Sequence, residues 1–267
     1  MRKTKLNDFS EAIKNYDLPN DVVINIHSSL LRFGIIENGL SGLMGCLEDA
    51  LGADATIVMP AYTYSSFPNT REWYSNKTKS QCGALTEYFR NQKGVKRTLH
   101  PFHSVCVKGK FRKQFLECAN TSSFGPGSPF DVLVQMEAFN LILGAEFIGG
   151  GTFTHHTEEI CQVPYRFYKK FPGKVFDHNE KIVEKTFEQF ARIITDDYEY
   201  RSVRKGVFNE MKDYFKIQEI NSVQVYLSDI PKTHRELQKR ILNDPYYAAT
   251  RVENNLQSVE LAIGDTQ

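Results

Sequence analysis

The sequence predicts an α/β fold, in which a central mixed, partly parallel sheet is flanked by helices. Short apolar runs at residues 21–26 and 56–60 are typical of buried strands, and a helix-like segment lies between them. A strand, a helix and a second strand in this order indicate a parallel pair of strands. The chain has 267 residues and 41% hydrophobic content, which is enough to bury a large core.

The elements of the first half follow from local patterns. Apolar residues recur at spacings of three and four between Leu6 and Tyr16, which predicts the first helix. The strand at 21–26 comes next, and a second helix is predicted at 41–51, closed by Gly52. The strand at 56–60 then completes the strand, helix, strand unit.

The second half of the chain gives weaker signals. We predict strands at 104–107 and 141–143, with a helix at 131–139 before the second of them. Residues 177–180 are typical of a hairpin turn. The residues that follow, 182–194, fit either a strand or an amphipathic helix, because their periodicity matches both.

The amino-acid composition changes near residue 170, which suggests how the chain is organised. From Phe171 onward charged and aromatic residues dominate, and no linker or repeat marks a boundary. We therefore predict an α/β core at residues 1–170 and a more divergent C-terminal portion at residues 171–267.

Composition excludes several classes of protein. The 33 basic and 32 acidic residues give a net charge of +1, so no nucleic-acid footprint is visible. No run approaches the roughly 20 apolar residues of a membrane span. The five cysteines are an odd number without a Cys-x-x-Cys pair, which indicates reduced thiols. We expect a cytoplasmic protein without nucleic-acid or membrane partners, and the oligomeric state stays open.

The stretch from Gly83 to Gly109 is the first candidate site. It gathers imidazoles, guanidiniums and a hydroxyl around a turn stiffened by Pro101, which predicts a ligand site. His100 and His103 are three residues apart, a metal-ligand spacing on a helix, but the proline between them argues against a helix. We therefore expect His100 to be a structural histidine or a substrate contact.

A histidine followed by carboxylates forms the second candidate site. His155 precedes Glu158 and Glu159 by three and four residues. A neighbouring carboxylate sets the tautomer of an imidazole and raises its basicity, as a general base near neutral pH requires. The alternative is a solvent-facing helix start with a threonine cap and an acidic first turn.

The third candidate site is the end of the first strand. Ser28 and Ser29 come where a strand leads into a helix, a place where open α/β sheets bind ligands, although serines there also simply turn the chain. Other chemistries lack their motifs, because the sequence has no Gly-x-Ser-x-Gly elbow, Walker loop or dinucleotide-binding glycine pattern.

Taken in order, several segments form one pattern. They are His27-Ser28-Ser29-Leu30, Met59-Pro60, the stretch from Gly83 to Gly109, Gly125-x-x-Ser128-Pro129, Leu143-Gly144 and Thr152-x-x-His155-x-x-Glu158. Together they resemble the aminoglycoside 3-N-acetyltransferase family, also called the antibiotic N-acetyltransferase family. The likeness covers about residues 20 to 165, and the rest of the chain departs from it.

The resemblance implies a reaction and its catalytic residues. Members of this family move an acyl group from coenzyme A to a primary amine on a sugar by direct attack, with acetyl-CoA or a related acyl-CoA as co-substrate and no metal. His155 matches the family's general base. Glu158, or a later acid such as Asp197, would orient its imidazole.

The resemblance also implies donor-binding residues. Ser28, Ser29 and Leu30 match the family segment that contacts the pantetheine arm. Arg97, His100 and Ser104 match the donor-side Arg-Ser-x-His-Pro-x-x-Ser signature, in which Thr98 replaces the usual serine. Residues 1–170 would then bind acyl-CoA, and residues 171–267 would shape the acceptor site.

The charge of the chain bears on the identity of the acceptor. An aminoglycoside carries several ammonium groups, so a protein that binds it is expected to be acidic, whereas this chain has a net charge of +1. Arg201, Arg204 and Lys205 suit an anionic acceptor, so we predict a nucleotide-linked amino sugar. The alternative is an aminoglycoside 3-N-acetyltransferase that confers antibiotic resistance.

Two rival hypotheses lie outside this class. One is a metal-dependent hydrolase that uses His100, His103 and His155. The other is a coenzyme A-binding or sugar-binding module with an inactive site.

Overall fold

A computed structural model describes residues 2–65, 67–145, 151–202, 204 and 206–253. No helix in these ranges is long and apolar enough to cross a membrane. The helices are α1 (Leu6–Lys14), α2 (Gly39–Leu51), α3 (Phe67–Thr70), α4 (Ala84–Arg90), α5 (Arg112–Leu116), α6 (Pro129–Gln135), α7 (Thr154–Ile160), α8 (Val207–Glu210) and α9 (Ile230–Asn243).

Among the described residues the strands form one large and three small sheets. They are β1 (Lys3–Thr4), β2 (Val23–Ser28), β3 (Ile35–Ile36), β4 (Thr56–Pro60), β5 (Glu72–Tyr74), β6 (Lys96–Arg97), β7 (Val105–Gly109), β8 (Phe139–Leu143), β9 (Arg166–Phe176), β10 (Ile182–Arg192), β11 (Tyr198–Ser202), β12 (Phe215–Ile220), β13 (Val223–Asp229) and β14 (Ala249–Glu253). Short 3-10 helices lie at Leu30–Phe33, Gly151–Phe153 and Lys212–Tyr214.

Within the described residues the large sheet has seven strands in the order β12-β13-β8-β2-β4-β7-β6. Strand β2 is parallel to both β4 and β8, and every other neighbouring pair is antiparallel. This arrangement confirms the predicted mixed, partly parallel sheet. It also brings the carboxyl ends of three parallel strands to one edge, where open sheets bind ligands.

Helices cover both faces of the large sheet because its central strands are apolar on both sides. Ile24 and Ile26 of β2 point into the cluster that contains Leu43 and Leu47 of α2. Val23, which alternates with them, packs in a second cluster with Phe130 of α6. Side chains of a strand alternate between its two faces, so one short run supplies both layers of the core.

The C-terminal third contributes to the same sheet and builds a second one. Strands β12 and β13 extend the large sheet beyond β8. The segment that fitted either a strand or a helix is β10, which pairs with β9 over eleven residues, and β5 joins β9 on its other side. The division near residue 170 stays a prediction.

The turn between β9 and β10 confirms the predicted hairpin. The Asp177 Oδ1 atom accepts hydrogen bonds from the backbone N–H groups of Asn179 (2.8 Å) and Lys181 (2.9 Å). An aspartate that bonds the backbone two and four residues ahead favours a tight turn. The Asp177 side chain therefore stabilises the turn that joins β9 to β10.

The predicted helix at 131–139 begins and ends earlier than expected. It runs over Pro129–Gln135, and the Ser128 hydroxyl caps it by accepting a hydrogen bond from the Asp131 N–H (3.3 Å). Proline at the first helical position is favoured because that N–H has no helical partner. Glu137 has a φ of +50°, which ends the helix before β8 starts.

Candidate active site

A cleft of about 770 Å³ lies between the β9–β10 hairpin and the loops that face it. His155 of α7 reaches into it, together with Arg166, Lys169 and Arg192 of the hairpin. The remaining lining residues are mostly aromatic or aliphatic: Tyr64, Pro68, Phe102, His103, Phe124, Phe167, Phe171, Gln189, Phe190, Ala191 and Ile194. The cleft thus combines an imidazole with apolar walls and cations.

His155 and Glu158 lie one helical turn apart, so they share a face of α7. The Nδ1 atom of His155 is 2.6 Å from Oε2 of Glu158, whose side chain has 0% exposure. Arg166 donates from Nη2 to the same oxygen (2.9 Å), and the Tyr165 hydroxyl donates to Oε1 (2.8 Å). The buried carboxylate is therefore held from both sides.

These distances fix the protonation of the imidazole. Arg166 Nη2 also lies 3.0 Å from Nδ1 of His155, but a guanidinium only donates and the nearer Glu158 oxygen only accepts. We therefore assign the proton to Nδ1, which leaves a lone pair on Nε2. Among the described residues no protein group bonds Nε2, and the side chain is 26% exposed at the cleft.

The electrostatics keep this histidine neutral and its partner charged. Burial lowers the pKa of His155 below its usual 6.5, and the Arg166 guanidinium lowers it further, while Glu158 opposes the shift. Burial alone would raise the pKa of Glu158, but the contacts with His155 and Arg166 outweigh it and lower that pKa. A neutral imidazole beside a carboxylate is able to accept a proton at neutral pH.

His103 is a second imidazole in the cleft. Its Nδ1 atom lies 2.9 Å from the Ser123 hydroxyl, and its ring is 4.4 Å from that of Phe124. The Phe124 ring in turn lies 5.4 Å from the His155 ring, so it stands next to both histidines. Burial lowers the pKa of His103 well below 6.5, so this ring is also neutral.

The charged side chains that line the described part of the cleft are all cationic. Arg166 is bonded to Glu158, as above, and Arg192 lies 3.8 Å from Glu199. Lys169, which is exposed, stands 5.6 Å above the Phe171 ring. Arg166 and Arg192 face each other across the strand pair, an arrangement that is unfavourable for like charges.

Two predicted donor contacts, Arg97 and Ser104, are buried inside the protein. Arg97 is 1% exposed; it donates from Nε to the Ser104 hydroxyl (2.9 Å) and from its other nitrogens to the carbonyls of Thr78 and Ala61. Its guanidinium lies 4.6 Å above the Trp73 ring. Burial lowers its pKa to about 10, so it is still charged at neutral pH. Both side chains therefore brace the loop before β7 and do not line the cleft, and their role as donor contacts stays a prediction.

His100 is also enclosed, with 0% exposure. Its Nδ1 atom accepts hydrogen bonds from the backbone N–H groups of Phe102 and His103 (both 3.3 Å), so Nε2 donates to the carbonyl of Thr121 (3.2 Å). Burial lowers its pKa to about 3. These contacts give His100 a structural role, one of the two roles expected for it, and its assignment as a donor contact stays a prediction.

Ser28, Ser29 and Leu30 lie apart from the cleft lining. They are half-buried at the carboxyl end of β2, and the Ser29 N–H donates to the carbonyl of Leu143 at the end of β8 (2.8 Å). Gly144 follows with a φ of +67°, and a side chain there would meet the Ser29 carbonyl at 2.8 Å. The segment is therefore closely packed where two parallel strands end.

The predicted acidic and basic groups of the C-terminal portion lie elsewhere. Asp197 is exposed just before β11 and makes no contact with His155 in the described structure, where Glu158 takes that place. Arg201 pairs with Glu199 (2.6 Å) and Arg204 with Glu210 (2.7 Å), and neither lines the cleft. Lys205 lies outside the described residues.

The three histidines of the metal hypothesis do not form a ligand set. His100 bonds only protein groups, while His103 and His155 each direct Nδ1 to a different partner. In the described ranges no three His, Cys, Asp or Glu side chains are grouped to hold a metal ion.

Sequence reasoning missed the hairpin residues of the site. No local spacing links Arg166 and Lys169 to His155. Arg192 lies in the segment 182–194, whose periodicity was ambiguous. The usable signal is the length of the hairpin. Once the turn at 177–180 is assigned, the antiparallel register places Arg192 opposite Arg166, twenty-six residues away.

Comparisons with known proteins match both the sequence and the fold. The family model described as aminoglycoside 3-N-acetyltransferase matches residues 26–240. The SPbeta prophage-derived aminoglycoside N(3')-acetyltransferase-like protein YokD of Bacillus subtilis (strain 168) is 25% identical over 232 residues, which cover 78% of this chain and 79% of that protein. Aminoglycoside N(3)-acetyltransferase III of Salmonella sp is 22% identical over 199 residues, which cover 68% of this chain and 69% of that protein.

Solved structures share the fold at low sequence identity. Aminoglycoside acetyltransferase AAC(3)-Xa matches with a TM-score of 0.76 at 17% identity, covering 92% of this chain and 94% of that chain. AAC-IIIb in binary complex with CoASH gives 0.77 at 17% identity, covering 90% and 97%. A variant of AAC(3)-IVa in complex with a gentamicin gives 0.74 at 19% identity, covering 93% and 92%.

Proposed function

Because the chain belongs to the aminoglycoside 3-N-acetyltransferase family, we propose that it transfers the acetyl group of acetyl-CoA directly to a primary amine on a small amino-sugar acceptor. The observation that supports this most is the His155–Glu158 pair at the cleft, with 2.6 Å between Nδ1 and Oε2. The pair orients an imidazole lone pair toward a space large enough for substrates, as general-base catalysis requires.

The base collects the proton that the amine must lose. As the amine nitrogen bonds to the thioester carbon, the proton moves to Nε2 of His155, and the resulting imidazolium is stabilised by Glu158. Arg166 keeps Glu158 ionised through its contact at 2.9 Å. The cations of the cleft also disfavour a bound ammonium ion, so the acceptor enters the reaction as the neutral amine that is nucleophilic.

The residues present fit a thioester donor. The cleft has about 770 Å³ of space and aromatic walls against which an acyl-pantetheine arm packs. Exposed Lys169 and partly exposed Arg192 offer charges for phosphate groups. Ser28, Ser29 and Leu30 stay proposed contacts of the arm, since they lie where parallel strands end.

The reaction is tested by mixing the purified chain with acetyl-CoA and a panel of amines, following thiol release and the mass of the acetylated amine. Direct transfer predicts no acetylated protein by intact mass when the acceptor is left out. A chain that binds CoA by calorimetry but releases no thiol with any amine is the inactive binding module.

An aminoglycoside is the acceptor that the comparisons support better. The curated relatives carry that substrate in their names, and a related structure was solved with a gentamicin. Expression of the gene in a susceptible bacterium then raises the inhibitory concentration of gentamicin-like drugs, whereas the His155→Ala variant does not. An unchanged inhibitory concentration with well-expressed protein argues against this acceptor.

A nucleotide-linked amino sugar is the second candidate, and the charge of the cleft favours it. The described lining residues include Arg166, Lys169 and Arg192 but no Asp or Glu. A polycationic drug gains nothing from these cations, whereas phosphates pair with them. The apolar rings at the mouth, such as Tyr64 and Phe167, offer a surface on which a base stacks.

The two acceptors are separated by Lys169→Gln. If Lys169 binds an acceptor phosphate, the variant lowers kcat/KM for the nucleotide-linked sugar by about tenfold, or 1.4 kcal/mol, and leaves or improves that for an aminoglycoside. Lys170→Gln is the matched control, because Lys170 is exposed and lies near Glu188 at 3.7 Å. Repeating the assay with acetyl-pantetheine, which lacks the nucleotide phosphates of CoA, shows whether Lys169 serves the donor instead.

A further inference from the structure

We propose that His103 donates a hydrogen bond from Nε2 to the carbonyl oxygen of the thioester as negative charge develops on it, while His155 accepts the proton of the amine. The proposal rests on the proposed function and deepens it by assigning a second catalytic imidazole. It starts from the observation that both histidines line the same cleft and pack against one ring, Phe124.

The hydrogen bonds of Ser123 determine which nitrogen of His103 carries its proton. The Ser123 hydroxyl has one proton and two possible acceptors: Nδ1 of His103 at 2.9 Å and the carbonyl of Glu188 at 3.5 Å. That carbonyl already accepts from the Ser123 N–H at 3.1 Å. If Nδ1 carried the proton it would donate to the Ser123 oxygen, and the hydroxyl would donate to Glu188. At 3.5 Å that O–H···O contact is too long for a good hydrogen bond, so we assign the hydroxyl proton to the bond with Nδ1 and the proton of His103 to Nε2.

The two imidazoles of the cleft are therefore complementary. His155 donates from Nδ1 to Glu158 and presents a lone pair on Nε2, whereas His103 accepts at Nδ1 and presents an N–H on Nε2. In the described structure no protein group bonds Nε2 of His103. One ring is thus prepared to receive a proton and the other to donate a hydrogen bond.

Packing holds the His103 ring in a fixed orientation. Its backbone N–H donates to Nδ1 of buried His100 (3.3 Å), and its ring meets the edges of Tyr62 (5.0 Å) and Tyr64 (5.7 Å). Phe124 covers its other side. A donor that is already oriented does not need to reorganise during the reaction, which is what makes oxyanion stabilisation effective. The role of buried His100 is then to position His103.

The step balances without a further reactant. The amine nitrogen forms a bond to the carbonyl carbon, and the π electron pair moves to the oxygen that His103 contacts. When this pair returns, the carbon–sulfur bond breaks and the thiolate leaves, taking the proton held by His155. His103 neither gains nor loses a proton, and a neutral imidazole that polarises a carbonyl has precedent in other enzymes.

The kinetic test compares His103→Leu, which removes the donor, with His103→Gln, which keeps an N–H. We expect His103→Leu to lower kcat by about 10²–10³-fold with the KM values nearly unchanged, and His103→Gln to recover part of that loss. The acid limb of the pH profile stays where it is in the wild type, because it belongs to His155. An unchanged kcat, or loss of the acid limb, overturns the proposal.

Two further measurements guard against a folding artefact. Ser123→Ala removes the donor to Nδ1 but leaves the rings packed against His103 unchanged, so we expect kcat to fall by about tenfold when it is measured well below the thermal midpoint, which the lost hydrogen bond lowers. His178→Gln is the control histidine, since His178 is half-buried in the hairpin turn outside the cleft lining, and it leaves kcat unaltered.

Long-range ¹H–¹⁵N NMR of the imidazoles tests the proposal without turnover. We expect the proton on Nε2 in His103 and on Nδ1 in His155. A proton on Nδ1 of His103 refutes the donor assignment even if the enzyme is active. Absence of thiol release by the wild type refutes the proposed function instead, and the tautomer measurement still decides whether His103 presents a donor.

Discussion

The Nδ1 atom of His155 lies 2.6 Å from Oε2 of Glu158, and that carboxylate has no exposed side-chain surface. The spacing of three residues on α7 makes the contact possible. Burial and the hydrogen bond from Arg166 hold the Glu158 carboxylate in this position. The imidazole is therefore held in one tautomer and kept neutral before any substrate arrives.

Glu158→Gln tests the orienting role of the carboxylate. The new amide can donate to Nδ1, which places the proton of His155 on Nε2 and removes the lone pair from the cleft. We expect kcat to fall by about 10³–10⁴-fold, as when a histidine is held in the wrong tautomer elsewhere. Glu159→Gln is the matched control, because Glu159 is equally buried but does not bond His155. Burial raises the pKa of Glu159. We expect this control to change kcat by less than about tenfold.

Arg166→Gln tests the electrostatics of the base. Arg166 lowers the pKa of His155, so its removal raises that pKa. Only neutral His155 acts as a base. As the pH is lowered, the variant should therefore lose activity at a higher pH than the wild type does. A pH profile of kcat measures the shift. An acid limb that stays in place or moves to lower pH contradicts the assigned coupling.

Arg97→Met separates a structural role from a donor contact. The variant removes the Arg97 donor from the Thr78 carbonyl and the Ser104 hydroxyl, and leaves the Ala61 carbonyl with the Ser104 hydroxyl as a side-chain donor (3.0 Å), so we expect a loss of about 2–4 kcal/mol in the free energy of unfolding. Urea titration measures that loss. The KM for acetyl-CoA of the folded enzyme should stay nearly constant, and a large rise in KM without a stability change would support the donor-contact hypothesis.

Gly109→Ala tests the packing at the end of β7. Gly109 has a φ of +131°, and an added Cβ would lie 2.2 Å from the Ala55 carbonyl oxygen, so we expect a loss of roughly 3 kcal/mol or more. Gly45→Ala is the control, because Gly45 lies in α2 with open space around it. That substitution should stabilise the protein by about 0.5–1 kcal/mol. Equal effects of the two changes in thermal unfolding would contradict the described backbone.

Acid stability follows from buried neutral histidines. Burial lowers the pKa of His27 to about 4 and that of His100 to about 3, both below the unfolded value near 6.5. The unfolded chain then binds more protons between these values, so stability is complete above about pH 6.5 and falls as pH decreases. In denaturant titrations, His27→Gln should reduce the slope of stability against pH in that window by at most about 1.4 kcal/mol per pH unit. An unchanged slope would show that His27 titrates normally.

The fold was largely predictable because its core strands are short, apolar and bounded by clear turns. The strand at 56–60 matches β4 residue for residue. Residues 182–194 were ambiguous because apolar Val183, Phe187 and Phe190 of β10 recur at spacings of four and three, which an amphipathic helix would also show. Only its pairing with β9 resolves that choice, and pairing is a tertiary property.

The site was predictable where it depends on local spacing and not where it depends on burial. His155 and Glu158 lie on one helical turn, so the sequence carries their contact. Arg97 and His100 belong to a motif whose residue types suit a phosphate site equally well, but their enclosure is set by Trp73 and Thr121 from distant segments. Spacing alone does not distinguish a polar group that binds a ligand from one that holds a loop.

The central claim is that His155 is the general base for acetyl transfer. The most direct test is His155→Ala, with kcat measured by thiol release and CoA affinity measured by calorimetry on the same preparation. We predict that kcat falls by at least about 10²–10⁴-fold while the Kd for CoA is almost unchanged. Transfer at the wild-type rate by a variant that still binds CoA would contradict the assignment.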